Sequence, residues 1–386
     1  GEGQVTSQRK QTAVAALLVL ALLLALPQVA RADDTDISDP VLSEAQCAIV
    51  EDSAGNVLYE KNADTQMPMA SITKVMTAMV ALDSGIDLDT PCQIHATDLG
   101  ADSQTAGFVE GDTPTLRELL RVMLIYSAND AAENIAINVA GSEEAFVELM
   151  NEKAQELGMT NTHFMNPHGL DEDGHYSTVS DLALMGREAL SEYPFIAGTV
   201  HTRSVTVSVA GTQKTFYSTD ELLGTYKGIR GIKTGYVAGS AAFLGACQRN
   251  GVELFTCVLG AQTSSGRFTD TVSLLNWAYA NFKQTPVAKS SWIVGVRPYA
   301  DNFAMTYEVT PTDDETAITW PQGGSLSFST TMLQHNLLVE DGQLVGSTTW
   351  TQDGRTAGSV HYTACLTLDN IPRVNVFTLP LYGYAA

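Results

Sequence analysis

The sequence predicts an α+β fold: a sheet with a helical cluster, followed by a small all-β domain. Three observations carry this. Strand-like runs open and close residues 46–285, with helical periodicity between them. Asn250-Gly251 joins two apolar runs, a strong hairpin signal. After about residue 285 short runs alternate with turn clusters.

Taken in order, residues 33–45 read as a flexible acidic leader. Cys47 to Val50 and Val57 to Tyr59 flank Asp52-Ser53-Ala54-Gly55-Asn56, a strand–turn–strand pattern. Pro68-Met69-Ala70-Ser71 precedes an apolar run to Leu82 that reads as a helix stopped at Gly85. Leu116, Leu119, Leu120, Met123 and Leu124 have helical spacing within 115–125. Ala131 to Val139 and Glu143 to Leu157 are further helices, the second capped by Ser142 and ended by Gly158. Residues 161–176 have no period and form a long loop, a place where function concentrates. Ser180 to Leu190 is helical. Val205, Val207 and Val209 alternate as a strand, 241–261 is the hairpin, and Phe268 to Phe282 is a closing helix. In the tail, turns at Thr312-Asp313-Asp314, Gln322-Gly323-Gly324, Asp341-Gly342 and Gln352-Asp353-Gly354 separate runs at 317–319, 337–340, 344–350 and 360–368.

The 386 residues are 44% hydrophobic and 17% charged, which suits two folded domains and excludes a disordered chain. A formal net charge of −23 excludes nucleic acid as an expected partner and disfavours a basic lipid-binding patch. Arg9 and Lys10 precede an uncharged apolar run, Ala13 to Leu26, that Pro27 ends. Spanning a bilayer takes about 20 residues. The run is shorter, so 1–32 is expected to be an export signal peptide, cleaved after Ala30-Arg31-Ala32.

The five cysteines do not form a disulfide framework. A two-residue turn at Asn250-Gly251 pairs Cys247 with Leu254 and Cys257 with Leu244, which leaves the sulfurs roughly 10 Å apart. A bridge needs Cα atoms within about 7 Å, so both are expected as free, buried thiols. With no CxxC pair, no cofactor and no metal are expected. The segment from His168 to His175 (HGLDEDGH) resembles a metal loop, but the twelfth position from Asp171 is Leu182 where a calcium loop closes with glutamate.

Three short motifs carry the chemistry. Ser71-Ile72-Thr73-Lys74 opens a helix, Ser127-Ala128-Asn129 follows a helix end, and Lys233-Thr234-Gly235 precedes the hairpin. Each recurs by chance; their conjunction in fitting contexts is the signal. Ser71 and Lys74, three apart, share a helix face. A serine hydroxyl is a weak nucleophile until a base takes its proton, and a buried lysine beside another cation can be that base. Ser127 is placed to relay a proton, Lys233 to supply the neighbouring charge, and Lys233 with Thr234 to hold a carboxylate. The strand after Gly235 offers an edge for an extended peptide. There is no GxSxG and no HExxH, and the seven histidines are scattered.

With these motifs the chain resembles the penicillin-binding proteins and serine β-lactamases, and within them the low-molecular-mass serine D-alanyl-D-alanine carboxypeptidases. Residues 69–78 (MASITKVMTA), 126–132 (YSANDAA), 166–170 (NPHGL), 176–183, 228–238 (GIRGIKTGYVA) and 259–267 carry the likeness, over about 45–285. The resemblance implies a penicillin-binding, β-lactamase-like transpeptidase domain over 46–285, with 286–386 matching the family's second domain in position and texture. It implies acylation of Ser71, Lys74 as general base, Ser127 as proton shuttle and Asn129 as a substrate ligand. Lys233, Thr234 and Gly235 would line the carboxylate side. The oxyanion hole would use the backbone N–H groups of Ser71 and Tyr236, and Arg267 would bind a carboxylate. The implied substrate is the peptidoglycan stem peptide, with β-lactam antibiotics as inhibitors. The family's amphipathic membrane helix has no counterpart in the uncharged stretch Val374 to Ala386, so membrane association stays open.

Two rivals stand beside this. A β-lactamase with a deacylating glutamate would carry aspartate where Ala128 stands, and Glu-x-x-x-Asn between Ser127 and Lys233, which this chain lacks. A non-catalytic wall-binding module would need none of the three motifs.

Overall fold

The computed structural model describes residues 37–299, 302–333 and 339–366. The expected signal peptide, its cleavage site, residues 33–36 of the leader, 337–338 and 367–368 of the expected tail runs, and the stretch from Val374 lie outside the described residues.

Five strands form the main antiparallel sheet: β1 (Cys47–Asp52), β2 (Val57–Lys61), β5 (Ile229–Val237), β6 (Ser240–Arg249) and β7 (Val252–Ala261). Their order is β2-β1-β7-β6-β5, so the first strands of the chain pair with the last hairpin, as the sequence predicts. The hairpin register is the expected one, Cys247 opposite Leu254 and Leu244 opposite Cys257, around an Asn250-Gly251 turn with φ of 49° and 75°. Both thiols are free and buried.

The helices are α1 (Thr73–Asp83), α2 (Leu116–Tyr126), α3 (Asn129–Ala140), α4 (Glu143–Leu157), α5 (Val179–Glu192), α6 (Pro194–Val200) and α7 (Gly266–Asn281). A capping box between Thr115 and Glu118 starts α2, and Ser142 caps α4. The sheet is covered on both faces. Leu244, Ala246 and Cys257 face α1, α2, α3 and α5, while Phe243, Cys247 and Val258 face α7. This explains why β6 and β7 read as near-continuous apolar runs. The short α6 was not foreseen. β3 (Ser204–Val209) and β4 (Thr212–Tyr217) form a separate hairpin whose three valines point inward.

The leader is not free along its whole length. The carboxylate of Asp270 accepts from the backbone N–H groups of Ser43, Glu44 and Ala45 at 2.7, 2.8 and 2.6 Å.

The tail is β-rich, as expected. β8 (Lys283–Ala288) pairs with β11 (Glu315–Thr319). β9 (Gly295–Tyr299), β10 (Asn302–Pro311), β12 (Ser327–Met332), β13 (Leu344–Gln352) and β14 (Arg355–Cys365) form a second sheet, ordered β12-β13-β14-β10-β9. The expected boundary between 285 and 286 falls inside β8. Trp320, just after β11, is buried against Trp277 and Phe282 of the α7 end, with ring centroids 5.3 Å away in each case.

Candidate active site

Two of the three motifs sit where regular structure breaks, and the third lies on an edge strand. Ser71 lies in a 3-10 turn, Ala70–Ile72, that runs into α1. Ala70 before it holds a left-handed φ of 51°, which is uncommon for a residue with a side chain. Ser127 ends α2, also left-handed at φ 72°, and Asn129 begins α3. Lys233, Thr234 and Gly235 lie in the middle of β5, a sheet edge. Gly235 lets that strand approach the turn: a Cβ there would stand 2.9 Å from the Ala70 Cβ and 3.2 Å from the Ser71 nitrogen.

Lys74 is wholly buried. Its Nζ lies 2.8 Å from Ser71 Oγ, 2.6 Å from Asn129 Oδ1 and 2.5 Å from the His168 carbonyl oxygen. As an ammonium it donates to all three. As a neutral amine it keeps two donors, which the carbonyls of Asn129 and His168 take, and turns its lone pair toward Ser71. Ser71 alone among the three partner groups has a proton to give.

The second pair mirrors the first. Lys233 Nζ donates to Ser127 Oγ at 2.8 Å and to the Thr234 carbonyl at 3.0 Å. Burial pushes the Lys74 ammonium far below the ordinary lysine range, the Lys233 charge pushes the same way, and Asp130 opposes both. Burial, followed by the nearby Arg267, takes Lys233 down to about 7, with Asp220 opposing.

Supporting groups fix these side chains. Asn129 Nδ2 donates to Ser103 Oγ at 2.6 Å, which leaves Oδ1 facing Lys74. Asp130 accepts from the N–H groups of Ala106, Gly107 and Phe108, which holds the loop carrying Ser103. The Thr234 and Thr219 hydroxyls lie 2.6 Å apart. Arg267 donates from Nη1 to the Gly235 carbonyl at 2.8 Å, so its guanidinium braces β5. The Tyr236 side chain is 57% exposed beside it.

All nine expected site residues therefore surround β5, the Ser71 turn and the α2–α3 junction. Sequence reasoning missed Ser103, Asp130, Thr219, Asp220 and the His168 carbonyl. The loop 161–176 did carry a signal as a long aperiodic segment, and it supplies that carbonyl. Its histidines are engaged by protein groups: His168 faces Glu143 at 3.8 Å, and His175 bonds Thr73 at 2.8 Å. Among the described residues no group of three His, Cys, Asp or Glu side chains is placed to hold a metal ion.

The sequence and the fold are similar to those of known proteins. The family model for D-alanyl-D-alanine carboxypeptidases of peptidase family S11 matches residues 34–263. The D-alanyl-D-alanine carboxypeptidase DacF of Bacillus subtilis is 35% identical over 289 residues, 72% of this chain and 73% of that one. DacC of Escherichia coli is 29% identical over 380 residues, 92% of this chain and 91% of its own length. Penicillin-binding protein D2 of Listeria monocytogenes, solved in its cefotaxime-bound form, superposes with a TM-score of 0.57 at 33% identity, over 62% of this chain and all of that one. Penicillin-binding protein 5 of Haemophilus influenzae shares the fold over 85% of this chain and 98% of its own, with a TM-score of 0.62 at 24% identity. A serine–lysine centre on this fold, with that family match, makes the chain a member of the D-alanyl-D-alanine carboxypeptidase family, a serine-type hydrolase.

Proposed function

We propose that this enzyme removes the terminal D-alanine from peptidoglycan stem pentapeptides through an acyl-enzyme on Ser71, and that β-lactams acylate the same hydroxyl. The observation that carries the proposal is the threefold cradle of Lys74 Nζ, with Ser71 as its one hydroxyl partner.

The geometry supports the following steps. Neutral Lys74 takes the Ser71 proton as Oγ bonds to the carbonyl carbon of the penultimate D-alanine. The backbone N–H groups of Ser71 and Tyr236 would bear the developing oxyanion, and Gly235 allows those two segments to approach. The C–N bond then breaks. Ser127, bonded to Lys233, hands its proton to the departing amine and is reprotonated with the proton Lys74 took from Ser71, which returns Lys74 to its neutral form. Water attacks the resulting ester, neutral Lys74 accepts its proton and returns it to Ser71 Oγ as the acid product leaves. Lys233, Thr234 and Arg267 give the carboxylate end of the peptide a cationic, hydroxyl-bearing wall, and Asn129 borders the peptide side.

Export is part of the proposal. It rests on Arg9, Lys10, the apolar run 13–26 and the Ala30-Arg31-Ala32 site. Mass spectrometry of secreted protein should find a mature N-terminus at Asp33.

A fluorescent penicillin tests the chemistry. It should label the folded protein at Ser71 and release slowly, Ser71→Ala should abolish labelling with the fold intact, and a D-Ala-D-Ala peptide should yield free D-alanine. Labelling at another residue, or none on folded wild-type protein, sinks the reading.

A further inference from the structure

His175 lies outside the three motifs, in the loop before α5, and is 5% exposed. Its Nδ1 accepts from the backbone N–H of Met165 at 3.0 Å. A backbone nitrogen can only donate, so in the neutral ring the proton belongs on Nε2. Nε2 lies 2.8 Å from Thr73 Oγ1, and it must be the donor there. The Thr73 hydroxyl then keeps its own proton for the Ala70 carbonyl oxygen, 2.8 Å away. The opposite assignment would set two N–H donors against each other at Met165 and take the Thr73 hydroxyl from the Ala70 carbonyl, leaving it only the Thr73 backbone N–H. The direction of all three bonds is thereby fixed.

The end of this relay is the residue before Ser71. Ala70 sits at φ 51°, a conformation that costs about 1 kcal/mol or more for a residue with a Cβ and persists only where its surroundings impose it. Two neighbours impose it. Thr73 pulls on the Ala70 carbonyl, and the same loop presses Gly169 onto it from another side, where a Cβ would stand 2.0 Å from the carbonyl oxygen.

We propose that His175 is a positioning residue for Ser71: through Thr73 it holds the strained Ala70 turn that aims the Ser71 hydroxyl at Lys74. The inference rests on Ser71 being the acylated residue. It assigns a role to the second histidine of a segment whose composition resembles a metal loop. Titration agrees with the geometry. Burial pushes the imidazole down to about 4, with His163 and Lys74 adding to it. His168 also faces the ring and is itself held neutral, mainly by burial. Protonation would put a hydrogen on Nδ1 opposite the Met165 N–H. The relay is therefore intact as long as the ring stays neutral.

The test compares acylation rates by fluorescent penicillin in full-length variants. His175→Asn keeps an acceptor near Nδ1 but cannot reach Thr73, and should slow acylation about tenfold or more. His175→Gln restores a donor toward Thr73 and should stay within about threefold of wild type. Thr73→Val, which keeps shape and removes the relay, should match His175→Asn, while Thr73→Ser should match wild type. Nitrogen-15 spectra of the wild-type imidazole should show the neutral Nε2–H tautomer at about pH 5.5, where an ordinary histidine is charged. A folded His175→Asn or Thr73→Val acylating at the wild-type rate overturns the inference, as does an Nδ1–H tautomer or a charged ring at that pH. Unlabelled wild-type protein would instead sink the acyl-enzyme reading.

Discussion

Lys233 donates to Ser127 at 2.8 Å although 106 residues separate them in sequence. Lys74 meets Ser71 at the same distance from three residues away. One serine–lysine pair is built within a single turn, the other only by the tertiary fold, and the Lys233 ammonium adds to the burial that depresses protonation of Lys74.

The two lysines should respond differently to arginine. Lys74→Arg keeps the charge but removes any neutral base, and acylation by penicillin should fall about a thousandfold or more. Lys233→Arg keeps what its position needs most, a cation, and should retain measurable labelling. Near wild-type acylation by Lys74→Arg would place the base elsewhere.

The acylation rate should be bell-shaped in pH. Its rising limb requires Lys74 to lose its proton, which burial and Lys233 allow far below the ordinary value of about 10.4. Its falling limb requires Lys233 to keep one, and burial brings that group to about 7. Asp220 supports the Lys233 charge, so removing the carboxylate lets the proton leave earlier. Asp220→Asn should move the falling limb to lower pH, and a shift to higher pH would refute the assignment.

Gly169→Ala should be severe. The new methyl would stand 2.0 Å from the Ala70 carbonyl on a backbone held at φ +89°. A loss of at least about 2 kcal/mol in stability, or of labelling in whatever folds, is expected by calorimetry and gel fluorescence. Gly158→Asn, at φ +81° with nothing within 4 Å, is the tolerant control.

The buried histidines should make acid destabilising. Burial holds His168 down to about 3 and His175 down to about 4 in the folded protein, while the unfolded chain takes up protons near 6.5. Their contribution is present above about pH 6.5 and is lost as pH falls toward 4. In His175→Gln the slope of unfolding free energy against pH should be shallower by about one proton, ~1.4 kcal/mol per pH unit at most, over that window. An unchanged slope would show that the ring is protonated when folded.

Chelators should leave D-alanine release unchanged, because the residues gathered at Ser71 are hydroxyls, amines and amides, poor partners for a divalent ion. Activity lost in chelator and restored by zinc would overturn the serine mechanism.

Much of this was legible in local sequence. Ser71 and Lys74 are one helical turn apart, and the Asn250-Gly251 turn fixed the partners of Cys247 and Cys257 residue by residue. Other features left little trace. The His168 contribution is a backbone carbonyl, which no side-chain pattern encodes. Thr219 and Asp220 sit in the irregular stretch before β5, and α6 has only seven residues, too few to show a period. Residues 43–45 looked like leader because their anchor, Asp270, lies more than two hundred positions away.

The packing of Trp320 bears on how this protein can be cut. A fragment ending at residue 285 would lose that indole and half of β8, and would turn the Trp277 and Phe282 rings toward solvent. Such a fragment should self-associate on purification, and polar replacements at those two rings should restore a monodisperse catalytic piece. The tail thus acts toward the rest of the chain as an intramolecular solubilising cover.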